Sequence, residues 1–476
     1  MTAAVKSIDQ IAAELQGYDP QALPAVDVAR FLSLLVAPVT ERLELPLFDA
    51  LGRVLAEDVV SPFDVPPHDN SAMDGYAFDG AALASGTELH LKVIGTALAG
   101  KAWQGTVAAG ECLKIMTGAI LPASLDTVVP QEFVTVRGDI ITLPPRLLKP
   151  GDNRRLRGED LMQGRPALSK GELLTPARLG LVASLGMKTV STLRPLRVAY
   201  FSTGDEILSL GEPPREGAVY DSNRYTVFGM LRRLGCEVID MGVVRDDPAL
   251  LEAAFTSAAA QADAIITSGG VSVGEADYTK AMMKKLGDVA FWRVAMRPGR
   301  PMAVGRITQA KTGSSPLSTG ASSSQNNSNS NPPIGFAAGP PQGETAPLGG
   351  SEPHGVGSVG AVLFGLPGNP VAVMVTFLAF VRPALLQMMG CTASAPPLLR
   401  ARSLEAIRKK PGRTEYQRGT VSSAADGSLQ VRTTGNQGSG VLSSMAQANG
   451  LIVLHHGQGN VAAGEDVDVM MFDGSM

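Results

Sequence analysis

Between residues 196 and 280 the chain repeats one grammar three times: a short apolar run, an abrupt turn, then a helical pattern. The runs are residues 196–201, 237–244 and 264–267, and each is bounded by acids. Asp205 and Glu206 follow the first, Asp246 and Asp247 the second, and Glu275 and Asp277 the third. Strands that deliver a turn directly to a helix are the building unit of a parallel sheet covered by helices. The pattern predicts an α/β domain, doubly wound and mostly parallel, with helices over 225–234, 248–260 and 276–286. Further strands are expected at 289–294, 302–307 and 361–366.

The third turn is the richest. Ser268-Gly269-Gly270 ends the apolar run, and Ser272 and Gly274 precede the two acids. Glycines let backbone approach an anion closely, and free amides at a helix start attract negative charge. Carboxylates at the same place would repel a bare phosphate unless a divalent cation sat between them. The competing reading is a tight turn whose acids merely cap a solvated helix. For one strand end capping is the better account. In an open parallel sheet, however, the carboxyl ends of neighbouring strands face one crevice. Acids at three of them favour a site for a hard cation such as Mg²⁺ bridging to phosphate oxygens.

Two more stretches belong beside that crevice. Arg293, Arg297 and Arg300 fall in one short segment held by Pro298, Gly299 and Pro301; the rigid apolar flanks favour an oxyanion or phosphate clamp over the competing reading of solvated surface charge. Gly365-Leu366-Pro367-Gly368-Asn369-Pro370 is another strand-to-helix turn, stiffened by Pro367 and Pro370. Between these stretches, residues 308–360 are dominated by Ser, Gly, Pro, Asn and Gln. Such a segment buries too little apolar surface to offset its ordering entropy, so a disordered insertion is expected.

The flanks read differently. Residues 8–56 look largely helical, and 61–69 form a proline- and acid-rich loop. Short β-rich pieces at 89–94, 111–115, 127–129, 134–136 and 140–143 predict a small β domain. Thr175 and Pro176 mark a helix start, and the chain beyond 396 reads as a second all-β module. At 476 residues more than one core is required. A formal charge of −4 supplies no attraction to nucleic acid or an anionic membrane surface. The apolar run 371–389 contains Arg382 and Pro383 and reads as a core helix. Lys6, Asp9 and Glu14 rule against a signal peptide, and three scattered cysteines point to a reducing, cytoplasmic setting.

Taken in order, several motifs resemble the molybdate insertases of molybdenum cofactor synthesis, the molybdopterin molybdenumtransferase family to which the matching domain of gephyrin-type proteins is similar. They are Asp69-Asn70-Ser71-Ala72-Met73-Asp74-Gly75-Tyr76-Ala77, Met116-Thr117-Gly118, Arg157-Gly158-Glu159-Asp160 and Ser202-Thr203-Gly204-Asp205-Glu206. Residues 268–280, Pro367-Gly368-Asn369-Pro370, 412–419 and 438–446 complete the set. The resemblance covers nearly the whole chain outside 308–360.

What it implies is specific. The expected parts are an extended N-terminal domain (1–60 and 150–192), an inserted small β domain (61–149), the α/β molybdopterin-binding domain (193–392) and a C-terminal β-barrel (393–476). The expected reaction takes adenylylated molybdopterin and molybdate, uses Mg²⁺ or another divalent cation, and releases AMP with the metal-loaded pterin. By matching motif, Glu206, Asp246 and Asp277 fall at the cation and phosphate, while Asp74, Thr117 and Asp160 are functional positions from the N-terminal parts. Ser268, Gly269, Gly270 and Ser272 line the substrate turn, and Arg293, Arg297 and Arg300 supply the basic clamp. Pro367 and Pro370 lie near the pterin, and Arg418 and Ser439 are the barrel's contribution. A homodimer, and an upstream molybdopterin adenylyltransferase as partner, are also implied. The alternatives are an adenylyltransferase or nucleotide hydrolase on the same α/β domain, and a binding scaffold with catalysis secondary. The Asp74 and Thr117 region weighs against the former. No receptor-binding feature, and no fused adenylyltransferase domain ahead of Met1, speaks for the latter.

Overall fold

The computed structural model describes residues 6–271, 278–308, 360–392 and 397–472. The expected insertion at 308–360 falls almost wholly outside them, as do Ser272, Glu275 and Asp277. The chain divides into two compact units, the first made of 1–36, 197–382 and 397–476, the second of 37–196 with 383–396.

In the first unit, strands β1 (Arg197–Thr203), β2 (Glu237–Val244), β3 (Ala264–Ser268), β4 (Gly287–Arg293), β5 (Met296–Arg297), β6 (Pro301–Ile307) and β7 (Ala361–Leu366) follow one another along the chain. All but β5 form one six-stranded sheet in the order β2-β1-β3-β7-β6-β4. The first four strands of that order are parallel. Every residue of β3 and β7 is buried, as strands covered on both faces require, and this is why their sequences are mostly apolar rather than alternating. The last two strands turn antiparallel, because Arg293 pairs with Pro301 and the Pro- and Gly-rich segment between them lets the chain reverse into a hairpin.

Helix Pro248–Gln261 starts with Asp247, whose carboxylate accepts from the Ala249 and Leu250 amides. It buries Leu251, Ala254, Phe255, Ala258 and Ala259, a stripe at helical spacing, against Ala199, Phe201 and Ile265 of the sheet. Phe201 and Phe255 meet edge to face at 5.1 Å. Each such buried large side chain contributes roughly 1.5–3 kcal/mol. Helix Ser222–Leu234 is capped by Asp221 and ended by Gly235 at φ +88°. Residues 1–36 group with this unit: Phe31 packs edge-on against Trp292, whose indole N–H donates to the Tyr18 hydroxyl at 2.8 Å.

The C-terminal module of this unit is a closed barrel. Strands β8 (Leu399–Ser403), β9 (Thr414–Ser423), β10 (Leu429–Thr433), β11 (Gly450–Leu454) and β12 (Asp466–Met471) run in the order β9-β10-β8-β12-β11, and β11 pairs back onto β9. The barrel interior is apolar, with Ala401, Val431, Ile452, Val467 and Val469 buried. Strand β5 pairs with the start of β9, so Arg297 lies opposite Glu415.

The second unit holds the small β domain at the strands expected, Leu89–Ala97, Glu111–Ile115, Thr127–Pro130, Thr135–Arg137 and Ile140–Leu143, joined by Gly75–Phe78 into one six-stranded sheet. Thr175 caps helix Pro176–Ser184 as its sequence predicts. The helical reading of 8–56 holds only for Ile8–Ala13 and Ala25–Leu35. Arg42–Pro46 is instead a strand paired antiparallel with Thr189–Leu193, and its alternating burial shows the two-residue period that the helical reading overlooked. Helix Pro370–Thr376 begins an apolar stretch, Pro370–Met388, long enough to cross a membrane by length and composition alone. With 72% of its apolar window buried inside the protein, it is a core element.

Candidate functional site

The sheet order sets four strand ends side by side: β2 with Asp246, β1 with Glu206, β3 with Ser268-Gly269-Gly270, and β7 with Pro367 to Pro370. Asp246 and Glu206 follow adjacent strands, and the Asp246 amide donates to an Asp205 carboxylate oxygen at 3.3 Å. Gly204 has φ +141°, and a Cβ there would lie 2.6 Å from a Glu206 carboxylate oxygen. The glycine is therefore what lets Glu206 fold back over the end of β1. Arg215 holds the Asp205 carbonyl in the same loop.

On β3, the Gly269 amide donates to the Leu366 carbonyl at 3.2 Å, which ties the glycine turn to the end of β7. The neighbouring turn is pinned from two sides. Asn223 donates its amide to the Gly368 carbonyl at 2.7 Å, and Asn369 donates to the Ser439 hydroxyl at 3.1 Å. Ser439 thus reaches the Pro367 to Pro370 turn directly, and its carbonyl also accepts from the Val371 amide at 3.1 Å. Pro367 is buried, and Pro370 opens its helix.

The arginine-rich segment meets the barrel at a small, partly open cleft lined by Arg297, Pro298, Glu415, Tyr416, Gln417, Arg418 and Gln437. Arg418 is fully buried. Its guanidinium donates to the carbonyls of Asn436, Gln437 and Gly438 at 3.0, 3.2 and 2.9 Å and to the Ser444 hydroxyl at 2.9 Å. Among the described residues no carboxylate pairs with it. Glu415, the nearest acid in sequence, is engaged by Arg413 at 2.7 Å and by Gln417 at 3.2 Å. Burial pulls the Arg418 pKa down to about 10, with the like charge of Arg297 acting in the same direction. A buried cation beside a second cation is a place where an anion relieves both desolvation and repulsion. Arg293 and Arg300 have exposed side chains and do not line this cleft.

In the second unit, Asp74 and Thr117 touch. The Thr117 amide and hydroxyl both donate to one Asp74 carboxylate oxygen, at 2.7 and 2.8 Å, and these bonds hold the Asp74 carboxyl below its ordinary value of 3.8. Asn70-Ser71 pairs with Arg154-Arg155, just ahead of the Arg157 to Asp160 motif. Arg154 bonds Asp69 at 2.6 Å, the Arg157 amide donates to Asp69 at 2.7 Å, and Arg157 pairs with Asp64 at 2.6 Å. Asp160 is exposed, with its amide on the Val65 carbonyl at 3.0 Å.

Sequence reasoning did not find Gln437 or Tyr416, which complete the arginine cleft, nor Tyr200, Asp221 and Asn223 behind the strand ends. A signal for the first was present, since Arg413, Glu415 and Gln417 alternate along one strand face and clasp one another. Asp277 and Ser272 lie outside the described residues. Among the described residues no group of three or more His, Cys, Asp or Glu is placed to hold a metal. Glu206 and Asp246 are two oxygen donors on adjacent strand ends. They suit a hard cation, and the third expected acid is Asp277.

Comparison with known proteins agrees along the chain. Residues 24–186 match the MoeA N-terminal region (domain I and II), residues 199–387 a probable molybdopterin binding domain, and residues 400–472 the MoeA C-terminal region (domain IV). A molybdopterin molybdenumtransferase of Haemophilus influenzae is 38% identical over 450 residues, covering 94% of this chain and 98% of that protein. A molybdopterin molybdenumtransferase of Nostoc sp. is 32% identical over 469 residues, covering 96% and 95%. The crystal structure of a molybdopterin biosynthesis moeA protein from Pyrococcus horikoshii is similar with a TM-score of 0.71 at 25% identity, over 95% of this chain and 100% of that one. Because the matches take in both flanking regions as well as the α/β region, the chain belongs to the molybdopterin molybdenumtransferase (MoeA) family.

Proposed function

We propose that the chain inserts molybdate into adenylylated molybdopterin, releasing AMP and forming molybdenum cofactor. The observation that carries this reading is the cleft in which buried Arg418, without a carboxylate partner among the described residues, faces Arg297. Arg297 presents a planar fork of donors to a tetrahedral dianion such as molybdate, and Arg418, whose guanidinium is largely engaged by carbonyls and Ser444, adds its charge and one remaining N–H. The strand ends take the pterin and its phosphate: Ser268, Gly269 and Gly270 give a turn of small residues, and Pro367 to Pro370 a stiff wall. Ser439 links that wall to the barrel.

Glu206 and Asp246, with Asp277, would hold Mg²⁺ or another divalent cation. When bound, such a cation neutralises charge on the phosphate being cleaved. The residues of the chain do the rest. Arg297 and Arg418 orient the oxyanion, and the Gly204 turn keeps Glu206 folded at its strand end. Asp74 is fixed in place by Thr117, which donates to it twice and lowers its titration further.

The same reading assigns the chain to the cytoplasm, which its unpaired cysteines support: Cys112 and Cys236 are buried and Cys391 half-buried. It also makes the chain a homodimer supplied by an upstream molybdopterin adenylyltransferase.

The test is to give purified protein adenylylated molybdopterin, Mg²⁺ and molybdate, and to follow AMP and cofactor. Molybdate-dependent AMP release is expected, reduced at least tenfold in Arg297→Ala. ATP consumption with free molybdopterin would replace this reading by the adenylyltransferase one. AMP release indifferent to molybdate would sink it.

A further inference from the structure

Three buried hydroxyls close a ring beneath the glycine turn. Tyr200 and Ser202 are two residues apart on β1 and so share one face of the sheet. Ser202 lies opposite Ser268 on β3 in parallel register. The Tyr200 hydroxyl is 2.9 Å from that of Ser202 and 2.7 Å from that of Ser268, and the two serine oxygens are 3.1 Å apart. All three residues are at most 2% exposed. Each hydroxyl has one proton to give, and the ring has three edges, so the three protons satisfy the three edges and none is left for a ligand. Ser268 therefore spends its side chain inside the protein at the residue where β3 becomes the turn. Burial raises the Tyr200 pKa, so its hydroxyl remains a donor throughout the neutral range.

The ring sits beside an irregularity in the backbone ladder and beneath a constrained turn. The pairing of β1 with β2 slips register between Tyr200 and Ser202, so on that side the ladder is interrupted at this level. Just beyond, Gly269 and Gly270 have φ +90° and +65°. A Cβ on Gly269 would lie 2.4 Å from the Thr203 carbonyl oxygen, and one on Gly270 would lie 2.5 Å from Thr279. The turn is thus packed against the end of β1, and its course depends on how the ends of β1 and β3 are held together.

We propose that Tyr200 is a positioning residue for the substrate turn: through Ser202 and Ser268 its hydroxyl fastens the ends of β1 and β3 and so fixes the path of Gly269-Gly270. It touches no substrate. Phenylalanine would fill the same volume but leave only the Ser202–Ser268 bond of the three, which loosens the side-chain tie between the strand ends. This role rests on the reading that the Gly269-Gly270 turn binds substrate.

The experiment compares Tyr200→Phe, Ser268→Ala and the double variant in the full chain. Hydrogen exchange of Gly269 and Gly270 is measured without substrate, and KM, kcat and melting temperature are measured alongside. Tyr200→Phe is expected to speed exchange in the turn about tenfold and to raise KM for adenylylated molybdopterin about tenfold, with kcat within about twofold. Ser268→Ala, which removes both bonds between the strands, should give changes at least as large, and the double variant no more than Ser268→Ala alone, the sign of one shared interaction. A lower melting temperature with exchange and KM unchanged would overturn the proposal, leaving the ring a matter of packing. Additive effects in the double variant would overturn it too. If Tyr200→Phe does not fold, Ser202→Ala removes another corner of the ring and is judged by the same readouts. Should the wild type release no AMP, the reaction reading fails, while the exchange measurement still decides whether Tyr200 sets the turn.

Discussion

Thr117 gives both its backbone amide and its hydroxyl to the same carboxylate oxygen of Asp74, at 2.7 and 2.8 Å. Hydrogen bonds to the charged form favour it, so the Asp74 carboxyl titrates below its ordinary value. The consequence for pH has a definite sign. A carboxylate with a depressed folded value adds stability that is present above the unfolded value and is lost as pH falls through the folded one. For Asp74 that window lies below 3.8. Thr117→Val keeps the amide and removes the hydroxyl, and it should move the Asp74 titration part of the way back up. Carboxyl-carbon NMR checks this. At pH 7 Asp74 stays ionised in the variant, so any activity lost there reports position rather than charge. An unmoved titration would show that the amide alone sets the shift.

Arg418 and Arg297 predict how the protein answers an oxyanion. Both are cations at one cleft, and Arg418 is held by carbonyls and a hydroxyl. A ligand that binds only the folded state stabilises it by about 2.7 kcal/mol at one hundred times its Kd. Molybdate should therefore raise the melting temperature relative to chloride at matched ionic strength. Arg297→Ala should lose most of that increment, yet without the anion it should be at least as stable as the wild type, since a like charge beside Arg418 has gone. Scanning calorimetry gives both numbers. Equal stabilisation of the two proteins by molybdate would remove Arg297 from the site.

Two glycines at neighbouring strand ends should behave oppositely. Gly269 is left-handed at φ +90° with the Thr203 carbonyl oxygen 2.4 Å from a would-be Cβ. Backbone cannot move aside as a flexible side chain can, so Gly269→Ala is expected to cost about 1–3 kcal/mol or more. Gly368 has only the Gly269 Cα within reach of a Cβ, at 4.0 Å. Gly368→Ala should cost less than about 1 kcal/mol. Urea denaturation of the pair makes the comparison, and equal losses would contradict the packing seen at the Gly269 turn.

These relationships differ in how much of them a sequence can carry. The parallel strands were legible because a buried strand is a mostly apolar run, and β3 and β7 are buried at every residue. The small β domain was legible because glycines and Asp-Thr or Gly-Asp pairs punctuate it. Arg42–Pro46 was missed because a five-residue strand beside a long helical pattern offers too few periods to separate two from 3.6. Within the site, acids and arginines announced themselves, being uncommon at the ends of apolar runs. The Tyr200 ring did not, because it joins residues 68 apart and looks in sequence like one more tyrosine in a strand. Pairing of Arg297 with the barrel was hidden for the same reason: a two-residue strand that docks on another module has no local period.

Lys409 supplies the last test, in the barrel. It is 4% exposed, and its ammonium group donates to the carbonyls of Gln458, Lys410 and His456 at 2.8, 3.2 and 3.4 Å. Three donors meet three acceptors, so the group acts as a clasp between the segment before β9 and the turn after β11. Burial is the main cause pulling its pKa below the ordinary 10.5. A base with a lowered folded value releases its proton more readily when folded, so stability rises with pH as pH passes upward through the folded value toward the unfolded one. Lys409→Met removes the charge but leaves three carbonyls without their donor, and an unmet buried acceptor costs about 1–3 kcal/mol. The lost clasp should outweigh the relieved charge at pH 7, leaving the variant less stable by about that amount. The gap between the two proteins should then widen between pH 7 and pH 10, because only the wild type gains from losing the proton. Urea denaturation at the two pH values decides it, and a variant as stable as the wild type at pH 7 would show that the three carbonyls find water instead.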